Sequence, residues 1–323
     1  MNQVVLNRHV SDIAASAAVY CVDVSSKSFV YDSHDFALVY GGSGFLKKDF
    51  QAVHGGKADI DTQNRFFDAY NLSKDVFQAS MRTVGVGTNI LIRDGVGTTG
   101  DLHIPMVGRT ATGPDGTPAL GKQSRAAGGA DGCLAKSGYR ELQEEFICGR
   151  DENGRLTIFD LDYDEDGGIL SRVDKEKILK QKRQDMARIL QTYGLNDQHV
   201  KFETLKGRVL NVPGLTTNIT QNIDGLVSTV SNRVLTDNPQ AGDFAGVDTI
   251  VYAQLPDGMQ ASQLIVRDGE TNFDGDLLKR EWTLASAEQW IEKVADGMPI
   301  SPAPKKVFEN WNKVAPVIRS YSR

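Results

Sequence analysis

The chain has 323 residues, of which 40% are hydrophobic and 24% charged, and its formal net charge is −6. That length exceeds the usual single core, the composition is that of a folding chain, and the negative charge argues against a protein that coats nucleic acid through its overall field. Three cysteines, Cys21, Cys133 and Cys148, match neither a disulfide framework nor a zinc ribbon and fit a reducing compartment.

The most apolar early stretch, residues 14–24, is too short to span a bilayer and contains Tyr20 and Asp23. It reads as a strand, and the protein as cytoplasmic with no membrane partner. Between Ala18 and Tyr40 the runs VYCVDV, SFVYD and FALVY predict a small antiparallel element. Residues 1–80 are therefore read as an N-terminal extension, β-rich where it is legible. TVGVGTNILIRDG and LHIPMVG predict two strands, and a helix follows a glycine-rich loop. RLTIFDLDY alternates like a strand, Asp174 to Tyr193 reads as a charged helix, and Val200 to Asp237 has no decisive period. Residues 151–244 are read as a large, mainly helical insertion. DTIVYAQLP and QLIVRDG predict strands, LLKREWTL a third, and Ser286 is the expected N-cap of the helix SAEQWIEKV. Another short helix is expected between Pro299 and Arg323.

Chemistry concentrates in GGADGCLAKSGYRELQEEF, residues 128–146. At about 100° per residue, Arg140, Glu141, Glu144 and Glu145 share one side of a helix, and Ala135, Tyr139, Leu142 and Phe146 the other. Glu141 and Glu145 repel at i,i+4, costing roughly 0.2–0.5 kcal/mol, which a divalent cation would remove.

This stretch resembles the Nudix signature, G-x5-E-x7-R-E-U-x-E-E-x-G-U with U a bulky aliphatic residue. Arg140, Glu141, Leu142, Glu144 and Glu145 match the R-E-U-x-E-E core, and Gly128 and Gly129 resemble the glycine-rich loop before it. Gly132 and Ile147 stand where the signature has glutamate and glycine. The similarity extends over residues 82–150 and 245–295, with Trp282 on a strand before a helix. It implies an α/β fold, a mixed sheet flanked by helices, with a catalytic domain from 81–150 and 245–323. It also implies hydrolysis of a diphosphate bond in a nucleoside diphosphate linked to another group: ADP-ribose, a dinucleotide, a dinucleoside polyphosphate or an RNA cap. Glu144 and Glu145 would be the main ligands of magnesium or manganese, Glu141 a further ligand or base, and Arg140 would orient a ligand. The partner is then a small nucleotide, with an RNA end also in the class; oligomeric state is left open. The alternative is a Nudix-like module that binds a nucleotide without cutting it.

Weaker signals surround this core. In the loop RDGETNFDGD, Glu270 is the candidate second acid, ahead of Asp274 and Asp276. Arg93 and Arg125, with Arg109, are candidates for holding a diphosphate. DLDYDEDGG resembles half of a calcium loop but lacks the closing glutamate, so it reads as a solvated acidic turn. The lysines and arginines of 174–190 read as one face of an amphipathic helix. Tyr163 lies about where some diadenosine polyphosphate hydrolases of this family carry a downstream tyrosine, a match of little weight because a strand tyrosine has many packing reasons. The five histidines show no metal-ligand spacing.

Overall fold

A computed structural model describes residues 28–31, 37–39, 83–95, 101–108, 123–124, 126–129, 133–150, 155–165, 170–192, 194, 196, 198–223, 226–238, 244–268 and 283–321. In chain order these form β1 (Ser28–Tyr31), β2 (Ala37–Val39), β3 (Thr83–Arg93), β4 (Leu102–Gly108), β5 (Gln123–Ser124) and β6 (Ala126–Gly129). Next come α1 (Leu134–Glu144), β7 (Glu145–Arg150), β8 (Leu156–Asp162), α2 (Arg172–Thr192), β9 (Val200–Val209), β10 (Thr217–Ile223) and β11 (Leu226–Asn238). The chain ends with β12 (Phe244–Gln254), β13 (Leu264–Asp268), β14 (Thr283–Ser286), α3 (Ala287–Ala295), α4 (Pro302–Glu309) and α5 (Trp311–Tyr321).

One mixed sheet organises all of this around two parallel neighbours. β3 and β12 pair from Thr83↔Phe244 to Arg93↔Gln254. Both are rich in β-branched residues and buried on both faces, so they read as nearly continuous apolar runs. On its other side β12 pairs antiparallel with β11 in its first half and with β9 near its end. The sheet forks there. One arm continues through β10, β1 and β2, the other through β8, β7 and β13. Beyond β3 lie β6 and β4, with β5 and β14 paired to β4.

Alternation along the central strands divides the interior into two cores. Val86, Ile90 and Ile92 of β3 pack with Leu134, Ala135, Tyr139 and Leu142 of α1, while Ile178 and Leu179 of α2 lie against the same cluster. Leu91 faces the opposite way and joins Ile104, Met106 and Ile250 with Trp290, Phe308, Val314 and Ile318 of α3 to α5. The fold is thus α/β, a mixed sheet flanked by helices on both faces. Ser286 caps α3 as expected: its hydroxyl accepts from the Gln289 N–H, and the Gln289 side chain accepts from the Ser286 N–H. Trp290 is anchored by its indole N–H, which donates to the Ile104 carbonyl at 3.0 Å.

The expectation of a mainly helical 151–244 segment is corrected. Its only helix among the described residues is α2, and β8, β9, β10 and β11 join the same sheet as β3 and β12. Threonine- and valine-rich tracts favour pleated structure once a partner strand is at hand. Here the partners are far away in sequence, as in the parallel pairing of β8 with β9 across α2. Two helices, α4 and α5, follow Pro299 where one was expected. The antiparallel pairing of β1 with β2 agrees with two of the three N-terminal runs; VYCVDV, Arg109, Arg125, Gly132, Trp282 and the 269–282 loop with Glu270, Asp274 and Asp276 lie outside the described residues. No helix among the described residues is long and apolar enough to cross a membrane.

Candidate active site

Glu141 sits in the middle of α1 and is buried, with only 7% of its surface exposed. Its Oε1 accepts from the Arg140 Nη2 at 2.6 Å, a charge-assisted bond between neighbours in sequence. The carboxylate lies directly over Gly128 of β6: a Cβ at that position would meet Glu141 Oε2 at 2.0 Å and Cδ at 2.1 Å. Gly128 and Gly129 are therefore strand residues paired with Val86 and Gly85, which corrects the expected loop. At Gly128 the missing side chain is the space the carboxylate occupies.

Gly128→Ala follows as a separable test. The atoms in the way are the tip of a flexible side chain, so the fold should lose less than the roughly 1–3 kcal/mol of an overpacked core. Glu141, however, must leave its seat beside Arg140. The Arg140–Glu141 bond is expected to be lost, at a stability cost that chemical denaturation of the variant reads.

Arg140 also faces Glu144, with Nε 3.7 Å from Oε1, and both side chains are partly exposed. Glu144 is the last helical residue. Glu145 has φ −95° and ψ 126° and opens β7, where it pairs with Asp268 of β13. The four residues thus do not share one helical face, because strand pairing from Glu145 onward ends the helix. The exposed face of α1 is Lys136, Arg140 and Glu144, whereas Glu141 and Gln143 are buried beside Leu142.

The opposite side of α1 leans on the acidic run after β7. Tyr139 donates its hydroxyl to Asp162 Oδ1 at 3.2 Å, and its ring lies 5.3 Å from that of Tyr163. Burial and Asp162 push the Tyr139 phenol above its ordinary value. Tyr163 is buried and packs there. The solvated-turn reading of this run is corrected for Asp160 and Asp162. Asp160 is fully buried and ion-paired to Lys182 at 3.2 Å, and it accepts from Arg183 Nε at 2.8 Å. Asp162 meets Lys175 at 3.1 Å and also Lys206. Burial by itself would raise the Asp162 carboxyl, but the hydrogen bonds and charges of the two lysines outweigh it and hold the group below its usual range. The lysines of α2, read as one face of an amphipathic helix, include these buried partners Lys175 and Lys182.

Arg93 is not brought to the carboxylates. It lies seven residues beyond Val86 on β3, roughly 23 Å along the strand, with its guanidinium 5.8 Å from the Tyr252 ring centre. At that same far end a group missed from sequence appears. The ligand atoms of Asp94, Asp101 and His103 lie within 4.8 Å of one another. His103 Nε2 is 3.7 Å from Asp94 Oδ1, which also accepts from the Ala261 N–H at 2.5 Å. The signal was their short separation in sequence, at most nine residues, which the antiparallel pairing of β3 with β4 closes in space. Glu141, Glu144 and Glu145 are not gathered this tightly. A groove of about 520 Å³ between α2 and β9, lined by Lys180, Arg183 and Phe202 among others, contains none of the expected site residues.

No family model matches the chain, and no curated protein matches it. Among solved structures it is similar to a Nudix hydrolase from Alicyclobacillus acidocaldarius, at 14% identity over 68% of this chain and 86% of that one. The TM-score is 0.30, too low for the likeness to carry fold or activity across.

Proposed function

We propose that the chain is a Nudix-type, divalent-metal-dependent hydrolase that cleaves a diphosphate bond in a nucleoside diphosphate linked to another group. ADP-ribose, dinucleotides, dinucleoside polyphosphates and capped RNA ends are the candidate substrates. The reading is carried by one arrangement: within R-E-L-Q-E-E, Arg140 holds the buried Glu141 carboxylate against Gly128, while Glu144 and Glu145 occupy the helix-to-strand joint beside it. A buried carboxylate so fixed is unusual for a merely solvated acidic helix.

The donor set fits magnesium or manganese. Glu144 and Glu145 would hold the cation, and Glu141, earlier on the same helix, would serve as a further ligand or base. Magnesium usually retains several waters and binds through one or two carboxylates plus substrate phosphates, so a cage of three is not required. When bound, such a cation polarises a phosphoryl oxygen and lowers the pKa of an attacking water. Arg140 fixes the Glu141 carboxylate. Glu270 remains the second acid in this reading, supported by Asp268, two residues before it, which pairs with Glu145. Arg125 stays as a diphosphate contact adjoining β6, whereas Arg93 is withdrawn. Residues 81–150 and 245–323 form the catalytic unit, and 151–244 is an addition that shares its sheet.

A panel of such compounds, incubated with the protein and magnesium or manganese and read by product mass, tests this. At least one should be hydrolysed, and chelation of the metal should stop it. A nucleotide that raises the melting temperature with no product from any compound would select the binding module instead.

A further inference from the structure

Gln143 stands between Leu142 and Glu144, where the chemistry asks nothing of it, yet it is only 2% exposed. Its Nε2 donates to the Leu161 carbonyl at 2.7 Å, and its Oε1 accepts from Lys182 Nζ at 3.0 Å. Lys182 is buried too; it donates to the Phe159 carbonyl at 3.1 Å and is ion-paired to Asp160 at 3.2 Å. Phe159 pairs with Ile147 in the β7–β8 ladder, so the strand leaving the joint and the helix entering it are tied to one ammonium group. Two more polar ties run along α1 toward its start: Tyr139 to Asp162, which Lys175 also holds, and Lys136 to Asp174 at 3.1 Å. Residues 136, 139 and 143 recur at helical spacing and meet β8 and α2. Burial pushes the Lys182 ammonium below its ordinary value, with Asp160 pulling the other way. A buried cation is tolerated when its partners are this well placed.

We propose that Lys182 is a positioning residue for the carboxylates of α1: from α2 it binds Gln143 and the β8 backbone together, and so fixes the joint at which Glu144 ends the helix and Glu145 begins β7. This rests on reading Glu144 and Glu145 as metal ligands. A metal site tolerates little error in ligand direction, and residues that only orient ligands typically contribute 10- to 100-fold to affinity, by the roughly general rule for outer partners. α2, from the 151–244 segment, is then a buttress of the site.

The test adds manganese(II) alone to the full chain and counts free ion by electron paramagnetic resonance. The double variant Glu144→Gln/Glu145→Gln identifies which bound ion belongs to α1. Lys182→Met and Gln143→Met are each expected to weaken that ion by about 10- to 100-fold while circular dichroism stays native. Gln143→Met decides the matter if Lys182→Met does not fold, because it leaves the Lys182–Asp160 pair in place. Arg233→Met, which destabilises the chain without touching Lys182 or Gln143, is the control. Unchanged binding in Gln143→Met, or an equal loss in Arg233→Met, overturns the positioning role. Binding that survives intact in Glu144→Gln/Glu145→Gln overturns the metal reading itself, and the proposal with it.

Discussion

Glu144→Gln and Glu145→Gln should each lower turnover by more than about 100-fold, beyond the 10- to 100-fold typical of residues that only orient a ligand. Glutamine keeps length and most of the helix propensity but removes the charge that a hard cation requires. The Glu144 side chain is partly exposed, so its substitution should hardly move the melting temperature, whereas Glu145 buries its Oε2 and its substitution should move it more. Loss of rate without loss of stability is the signature sought at Glu144. Glu141→Gln differs, because Glu141 is buried and accepts from Arg140; it should cost stability as well as rate. Steady-state rates on the best substrate, beside thermal melts, separate these cases.

The largest effect on stability is expected on the other side of the sheet's fork. Arg233 of β11 and Glu165, just after β8, form an ion pair at 2.6 Å with side chains 2% and 1% exposed, and Arg233 also donates to the Thr249 hydroxyl. Removing one charge strands its partner in a medium that cannot solvate it. Arg233→Met or Glu165→Ala should therefore cost about 3–5 kcal/mol in chemical denaturation. The double variant should recover much of that loss, because no lone charge is left. A cost under 1 kcal/mol for both single variants would mean that water reaches the pair.

Legibility in the sequence followed the range of the interactions involved. β3 and β12 could be read directly, since strands buried on both faces announce themselves as β-branched runs, and the Ser286 cap is a contact across three residues. The helix carrying Glu141 was equally plain. The helix was read through Phe146 and so ended two residues too late, because β7 starts at Glu145 only when β8 and β13 arrive from elsewhere in the chain. Asp160 and Asp162 looked solvated for the same reason: their cations, Lys175, Lys182, Arg183 and Lys206, lie 13 to 44 residues away. Gly128 was singled out, but its use as the seat of Glu141 depends on β6 pairing with β3, which local patterning does not reveal. Arg93 was a diphosphate candidate by residue type, and its place at the end of the 11-residue β3 puts it far from Gly128. β9 to β11 stayed illegible, as their polar, valine-rich stretch has no decisive period and their pairing is long-range.

Hydrolysis in water enriched in oxygen-18, run with manganese on the best substrate of the panel, tests directly whether water attacks phosphorus at the α1 carboxylates. Attack of water at phosphorus should place one heavy oxygen on a phosphate group of a product, in the wild-type chain and not in Glu144→Gln/Glu145→Gln. A heavy oxygen found only on carbon would contradict the account, as would a labelled phosphate formed equally fast by the double variant.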